Sequence, residues 1–163
     1  PGILGGSNWS PISINSDLNL AFVSGIHAPI KYTIHEKNTE NGITEYTSSE
    51  PTNDPQWGLL SAINLSTGKI QWQYKTPQPL VGGTLSTKGG LVFLGEGNGN
   101  FNAIDAASGA LLWQTYIDAG VNAPPITYLI DGEQYIAVAA GGNKIMGFSQ
   151  GDYISVYKLP RAE

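Results

Sequence analysis

Ala62-Ile-Asn-Leu-Ser-Thr-Gly68-Lys-Ile-Gln-Trp72 and Ala103-Ile-Asp-Ala-Ala-Ser-Gly109-Ala-Leu-Leu-Trp113 are two copies of one eleven-residue pattern, and their closing tryptophans stand 41 residues apart. A unit of about 40 to 45 residues with several short strands is the mark of a β-propeller, whose four-stranded blades each need a neighbour to cover their faces. Each residue type in the pattern has a physical reason. Gly68 and Gly109 suit a turn with φ > 0, and Ala62 and Ala103 leave room for close approach. Each Trp offers a large flat apolar surface and one N–H that needs an acceptor. Trp72 and Trp113 are therefore expected to be largely buried between blades, as framework rather than ligand contacts.

Outward from the repeat, the chain reads as all-β: a partial propeller of about three antiparallel four-stranded blades, with the last one incomplete. Ser7 to Asn15 and Leu18 to Gly25 form the inner strand pair of blade one around Asn15-Ser-Asp-Leu, and Gly58 to Leu65 and Lys69 to Lys75 complete that blade. Between them, residues 27–56 are polar with little apolar periodicity, and read as an insertion or long loop. Blade two is Gly82 to Thr87, Leu91 to Gly95, Phe101 to Asp105 and Ala110 to Tyr116. Blade three offers Ala123 to Ile130 and Gln134 to Ala140 around Asp131-Gly132, a strong hairpin dipeptide, then Tyr153 to Leu159, with no fourth strand.

Composition narrows the function. With 21 Gly, 10 Pro and 13% charged residues the chain is turn-rich, as many short strands require. Eight scattered basic residues and a net charge of −5 argue against nucleic acid. The absence of cysteine excludes disulfides, thiolate metal sites and covalent attachment of a c-type haem within these residues. No run reaches the roughly 18 apolar residues of a membrane span, and the start lacks the basic and apolar regions of a signal peptide. Closed propellers of four to eight blades need roughly 160 to 340 residues or more, so residues 1–163 read as part of a longer ring.

Several ordered motifs agree with one family. The two repeats, Pro79-Leu-Val-Gly-Gly-Thr-Leu-Ser-Thr-Lys-Gly-Gly-Leu-Val-Phe-Leu-Gly, Asn122-Ala-Pro-Pro-Ile-Thr-Tyr and Asp131-Gly-Glu-Gln-Tyr-Ile-Ala-Val-Ala-Ala-Gly-Gly-Asn143 together resemble the C-terminal region of quinoprotein alcohol dehydrogenases. The resemblance runs from Gly5 to Pro160, interrupted at the polar stretch. It implies blades from an eight-bladed propeller with tryptophan-docking motifs, holding pyrroloquinoline quinone (PQQ) and calcium on its axis. It further implies oxidation of alcohols in the periplasm, with a cytochrome c type of electron acceptor.

The resemblance also places site residues. Gly5-Gly-Ser-Asn8-Trp9 matches the family's Gly-Gly-x-Asn-Trp segment, where Asn8 would hydrogen-bond a quinone or carboxylate oxygen and Trp9 would offer its indole. Some relatives carry a tryptophan before the inner-strand Gly-Gly, where this chain has Val81, so the aromatic platform is absent. Asn143, after Gly141-Gly142, would also face the axial site. Asn64 stands where the docking motif usually has the acid that Asp105 keeps, which is expected to change only a local hydrogen bond. The metal ligands and catalytic aspartate of the family lie upstream of the matched segment, so no catalytic residue and no metal ligand is assigned here. Glu96, Asp105, Asp118, Asp131 and Asp152 read as turn or repeat residues, and His27 and His35 as solvated loop residues without metal-ligand spacing.

The leading expectation is thus a C-terminal set of blades that contributes part of a PQQ pocket, binds neither PQQ nor calcium tightly by itself, and is inactive alone. Its partners would be the remainder of the propeller, the alcohol and the electron acceptor, with self-association through open blade edges. The alternative is a non-catalytic tryptophan-docking propeller such as an outer-membrane assembly lipoprotein, which has no need of Gly-Gly-x-Asn-Trp at an axial strand. A free-standing three-blade adhesion module fits poorly with the incomplete last blade.

Overall fold

The hydrogen-bond ladders sort the strands into blades. A computed structural model describes residues 2 and 4–158; within them there is no helix and every regular element is a strand. Blade one contains β1 (Ser13–Asn15), β2 (Leu20–His27), β5 (Trp57–Asn64) and β6 (Ile70–Thr76), in that order across the sheet. Blade two is β7 (Thr84–Ser86), β8 (Leu91–Gly95), β9 (Asn100–Asp105) and β10 (Leu111–Tyr116), and blade three is β11 (Ile126–Ile130), β12 (Glu133–Ala140) and β13 (Tyr153–Lys158). All pairings are antiparallel. Asp131 and Gly132 both have positive φ, 51° and 79°, as a two-residue hairpin of that dipeptide requires. The expected end of the last strand, Leu159, and of the resemblance, Pro160, lie outside the described residues.

Two apolar seams hold the blades. Phe22, Leu60 and Ala62 of blade one pack with Leu80, Val92, Leu94 and Ile104 of blade two, and Phe93, Phe101 and Ala103 pack with Val121, Ile136 and Val138 of blade three. Strand alternation makes this possible: Val92 and Leu94 face one neighbour while Phe93 faces the other.

Both repeats form the same device. Ala62 pairs with Trp72 and Ala103 with Trp113, and in each the register slips beside that pair, at Gln71 and at Leu112. A bulge of this kind re-aims the neighbouring side chain. Asn64 Oδ1 accepts from the N–H groups of Ser66 and Thr67, and Asp105 Oδ1 from the N–H of Ser108, so the two caps differ only locally, as expected. The Ser108 hydroxyl and N–H hold the Asp105 carboxyl below the usual aspartate range.

The outcome for the two tryptophans differs. Trp72 donates its indole N–H to the Ala106 carbonyl at 3.1 Å and lies across Gly109, where a Cβ would come within 2.7 Å of the ring. Trp113 remains 41% exposed, touching Phe101 and Tyr157 edge-on at one side of an open groove of about 540 Å³. The expectation that Trp113 is largely buried is therefore corrected. The turn that covers Trp72 follows the third strand of blade two.

Two other expectations change. Residues 27–56 are not an irregular loop: β3 (Ile30–Thr39) and β4 (Gly42–Pro51) pair along their whole length as a hairpin. Ser7 to Ile12 carries no strand; Ser10 Oγ donates to Val81 O and Pro11 O accepts from Thr84 N–H, so this segment bonds to the next blade instead of β2. β13 has a partner on one side only among the described strands.

Candidate functional site

The starts of the three inner strands converge. Ser13 and Thr84 hydroxyls meet at 2.8 Å, joining blade one to blade two. A Cβ on Gly83 would stand 2.5 Å from Pro11 and 2.9 Å from Pro124, so glycine is what lets segments 8–11, 81–83 and 122–124 approach one another. β8 and β12 run toward the same end, which is therefore also reached by the loops after Gly95 and Ala140. The groove beside Trp113 is elsewhere: it is lined by Thr87, Leu91 and Glu133, at the opposite ends of β7, β8 and β12.

The residues singled out by resemblance take up different postures at the convergent end. Asn8 is exposed and Trp9 is 62% exposed, while Val81 is buried with its carbonyl occupied by Ser10. Asn143 Oδ1 accepts from the N–H groups of Ile145 and Met146, and its carbonyl accepts from Phe148 N–H. That bonding turns the loop and leaves the Asn143 amide nitrogen as its donor. The hairpin β3–β4 rises beside this end, since Ile26 N–H donates to Gly6 O at 2.6 Å. At its root His27 stacks on Trp57 at 3.5 Å, with Lys75 Nζ 4.2 Å from the same indole. His35 hydrogen-bonds Ser48 Oγ and stacks on Tyr46. Neither histidine is simply a solvated loop residue. Among the described residues no three His, Asp or Glu side chains gather as a metal site would require.

Glu96 stands in the turn between β8 and β9, as expected, its carbonyl accepting from Gly99 N–H, and it is almost fully buried there. Its carboxylate accepts from Asn102 Nδ2 at 2.5 Å and Asn98 Nδ2 at 3.1 Å, and Asn102 Oδ1 accepts from Gln114 Nε2 at 2.8 Å. Alternation held the signal, because Glu96 continues the core face of Val92 and Leu94. Burial pushes its carboxyl up, against the downward pull of Asn102, Asn98 and Asn100. Burial, then the Glu96 charge, likewise pushes Tyr74 up. Because the folded pKa lies above the unfolded one, the protonated form is favoured by folding: this contribution is complete below the ordinary carboxyl pKa and is lost as pH rises through the folded value. Wild type is therefore expected to lose stability relative to Glu96→Gln as pH climbs above the ordinary carboxyl range. Chemical denaturation across that range checks it, and a difference that grows in wild type's favour with pH would contradict it.

The geometry fits an oxygen-rimmed ligand. The convergent end carries the exposed Asn8 and Trp9 and the Asn143 loop, with glycines that admit close approach. PQQ, an anionic quinone edged by acceptor oxygens, matches that donor set. Residues 45–136 match the family described as PQQ: glucose/ethanol/alcohol dehydrogenase, β-propeller domain. The chain belongs to this PQQ dehydrogenase family.

Among relatives of known type, the family member quinoprotein alcohol dehydrogenase PedE of Pseudomonas putida is 37% identical across 97% of this chain and 26% of its own length. The quinoprotein ethanol dehydrogenase of Pseudomonas aeruginosa is 38% identical over 86% of this chain and 23% of its own. The chain thus spans about a quarter of the length of the curated relatives it matches. A quinohemoprotein alcohol dehydrogenase from Pseudomonas putida superposes with a TM-score of 0.84 at 26% identity, covering 100% of this chain and 29% of that one. The enzyme of the same type from Comamonas testosteroni gives 0.80, also at 26% identity, over 99% and 28%.

Proposed function

We propose that the chain is the C-terminal part of a PQQ-dependent alcohol dehydrogenase and forms one arc of its axial cofactor pocket. The observation that carries this reading is the convergence of segments 8–11, 81–83 and 122–124 at one end of three family-type blades, through the contacts of Gly83 with Pro11 and Pro124. When bound, PQQ supplies a two-electron, two-proton acceptor for the alcohol, and calcium a Lewis acid for its carbonyl.

This chain's own residues bind and orient. Asn8 hydrogen-bonds a cofactor oxygen, Trp9 lays its exposed indole on the same site, and Asn143 presents its amide N–H from a loop braced by Ile145 and Met146. Val81 gives an apolar wall in place of an aromatic platform. The tryptophan-docking arrangement, supported by Trp72 against Ala106 and Gly109, keeps adjoining blades in register. The metal ligands and the catalytic base belong to other blades of the same enzyme. It works in the periplasm and passes electrons to a cytochrome c type of acceptor. A purely structural propeller has no use for a set of amides at the convergent end.

Dye reduction with alcohol, PQQ and calcium tests the reading. Activity is expected from the full-length protein and none from residues 1–163 alone. Calcium-dependent turnover by residues 1–163 overturns the division of labour, and a full-length protein that oxidises no alcohol overturns the enzyme.

A further inference from the structure

The turn at residues 96–99 supports two segments of the proposed pocket at once. Glu96 O accepts from Val121 N–H at 2.9 Å and from Gly99 N–H at 3.1 Å, and Val121 leads directly into segment 122–124. The ring of Phe148 lies on Gly97, where a Cβ would stand 2.5 Å from it, and Gly97 O is 2.9 Å from the place of a Cβ on Gly120. Phe148 N–H in turn donates to Asn143 O, and Gly142 N–H to Gly120 O, both at 2.9 Å. The 120–124 segment and the Asn143 loop therefore rest on one turn and on each other.

The side chain at the start of that turn is a buried carboxyl. Glu96 is 2% exposed and is held by the amides of Asn98 and Asn102, with Gln114 of β10 bracing Asn102. No cation pairs with it among the described residues. From blade one it is faced by Tyr74 of β6. The charged groups of the other neighbouring elements are engaged elsewhere or open to solvent: Asp118 is exposed and accepts from the Tyr116 hydroxyl, Lys144 is exposed, and Lys75 lies over Trp57. A buried carboxyl without a counter-charge costs folding free energy when ionised, so its retention at this turn calls for a role.

We propose that Glu96 is a positioning residue of the axial pocket: clamped by Asn98 and Asn102, it holds the 96–99 turn as the common seat of the 120–124 segment and the Asn143 loop. The assignment rests on the proposed function. It also ties cofactor binding to a proton. An ionised Glu96 gains by reaching water, and the turn must open for it to do so, which releases Val121 N–H and the seat of Phe148. Burial raises the folded carboxyl, so the seated turn is fully favoured below the ordinary carboxyl range and loses ground as pH rises through the folded value. PQQ binding to the seated form weakens in the same window.

The test uses the full-length protein prepared without cofactor, as wild type, Glu96→Gln and Glu96→Ala, titrated with PQQ in calcium by absorbance at a series of pH values from the ordinary carboxyl range upward. Glu96→Ala is expected to weaken PQQ binding about tenfold throughout, because nothing then clamps the turn. Glu96→Gln, which keeps the shape and carries no charge, should match wild type at the low end and bind more tightly than wild type at the high end. A gain on neutralising a side chain that touches no ligand is not expected of a merely structural residue. A ratio of wild-type to Glu96→Gln dissociation constants that stays flat with pH overturns the assignment and leaves the proposed function standing. So does a Glu96→Ala constant within about twofold of wild type, and the Glu96→Gln comparison decides even where Glu96→Ala does not fold. A wild-type protein that takes up no PQQ overturns the proposed function, and this assignment with it.

Discussion

Trp72→Ala is expected to lower the unfolding free energy by about 3 kcal/mol, and Trp113→Ala by only about 1 to 2 kcal/mol, although the two residues occupy the same position in the repeat. Trp72 loses more. Its ring packs on Phe22 at 5.7 Å, its N–H bonds Ala106 O, and it fills the space over Gly109 that no Cβ occupies. Removal leaves a gap at the seam between blades one and two and strips the Ala106 carbonyl of its donor. Trp113 keeps one side open to the groove, so truncation there removes less area from contact and makes no enclosed cavity. Chemical denaturation of both variants gives the comparison, and equal losses would show that the blade-three side is as closed as the blade-one side.

Phe101→Ala is expected to cost about 3 to 5 kcal/mol and to loosen blade three selectively. Phe101 is fully buried at the second seam and touches Phe93, Trp113 and Tyr157, with ring centroids at 6.0, 6.2 and 5.6 Å. Tyr157 comes from β13, so this one ring connects blade two to the last described strand. Amide exchange should accelerate in β12 and β13 while β2 and β5 stay protected, because the first seam shares none of these contacts. Uniform acceleration across all three blades would mean that the seams unfold as one unit.

The site was legible in parts. The Gly5–Trp9, Val81–Gly83 and Gly141–Asn143 segments could be picked out by resemblance, because they are short local patterns. That Pro11, Gly83 and Pro124 touch was not legible, since these contacts join residues tens of positions apart. Glu96 could have been found by following alternation one residue past β8, but its burial depends on Tyr74 and the asparagines gathered round it.

Local chemistry determined the repeat, the turns and the strand order. Gly68 and Gly109 needed positive φ, Asp131-Gly132 needed a tight hairpin, and alternating apolar residues needed two covered faces, all within a few residues of chain. Tertiary structure decided the rest. Residues 30–51 hide their strands from a periodicity search because neither face of the hairpin is covered by a blade: Ile34, Ile43, Tyr32 and Tyr46 are exposed, so no buried apolar face imposes alternation, and the backbone ladder with the His35 contacts to Ser48 and Tyr46 defines the element. The two repeat tryptophans differ for the same kind of reason. A side chain's burial is set by what stands opposite it, and the turn that covers Trp72 belongs to the next blade.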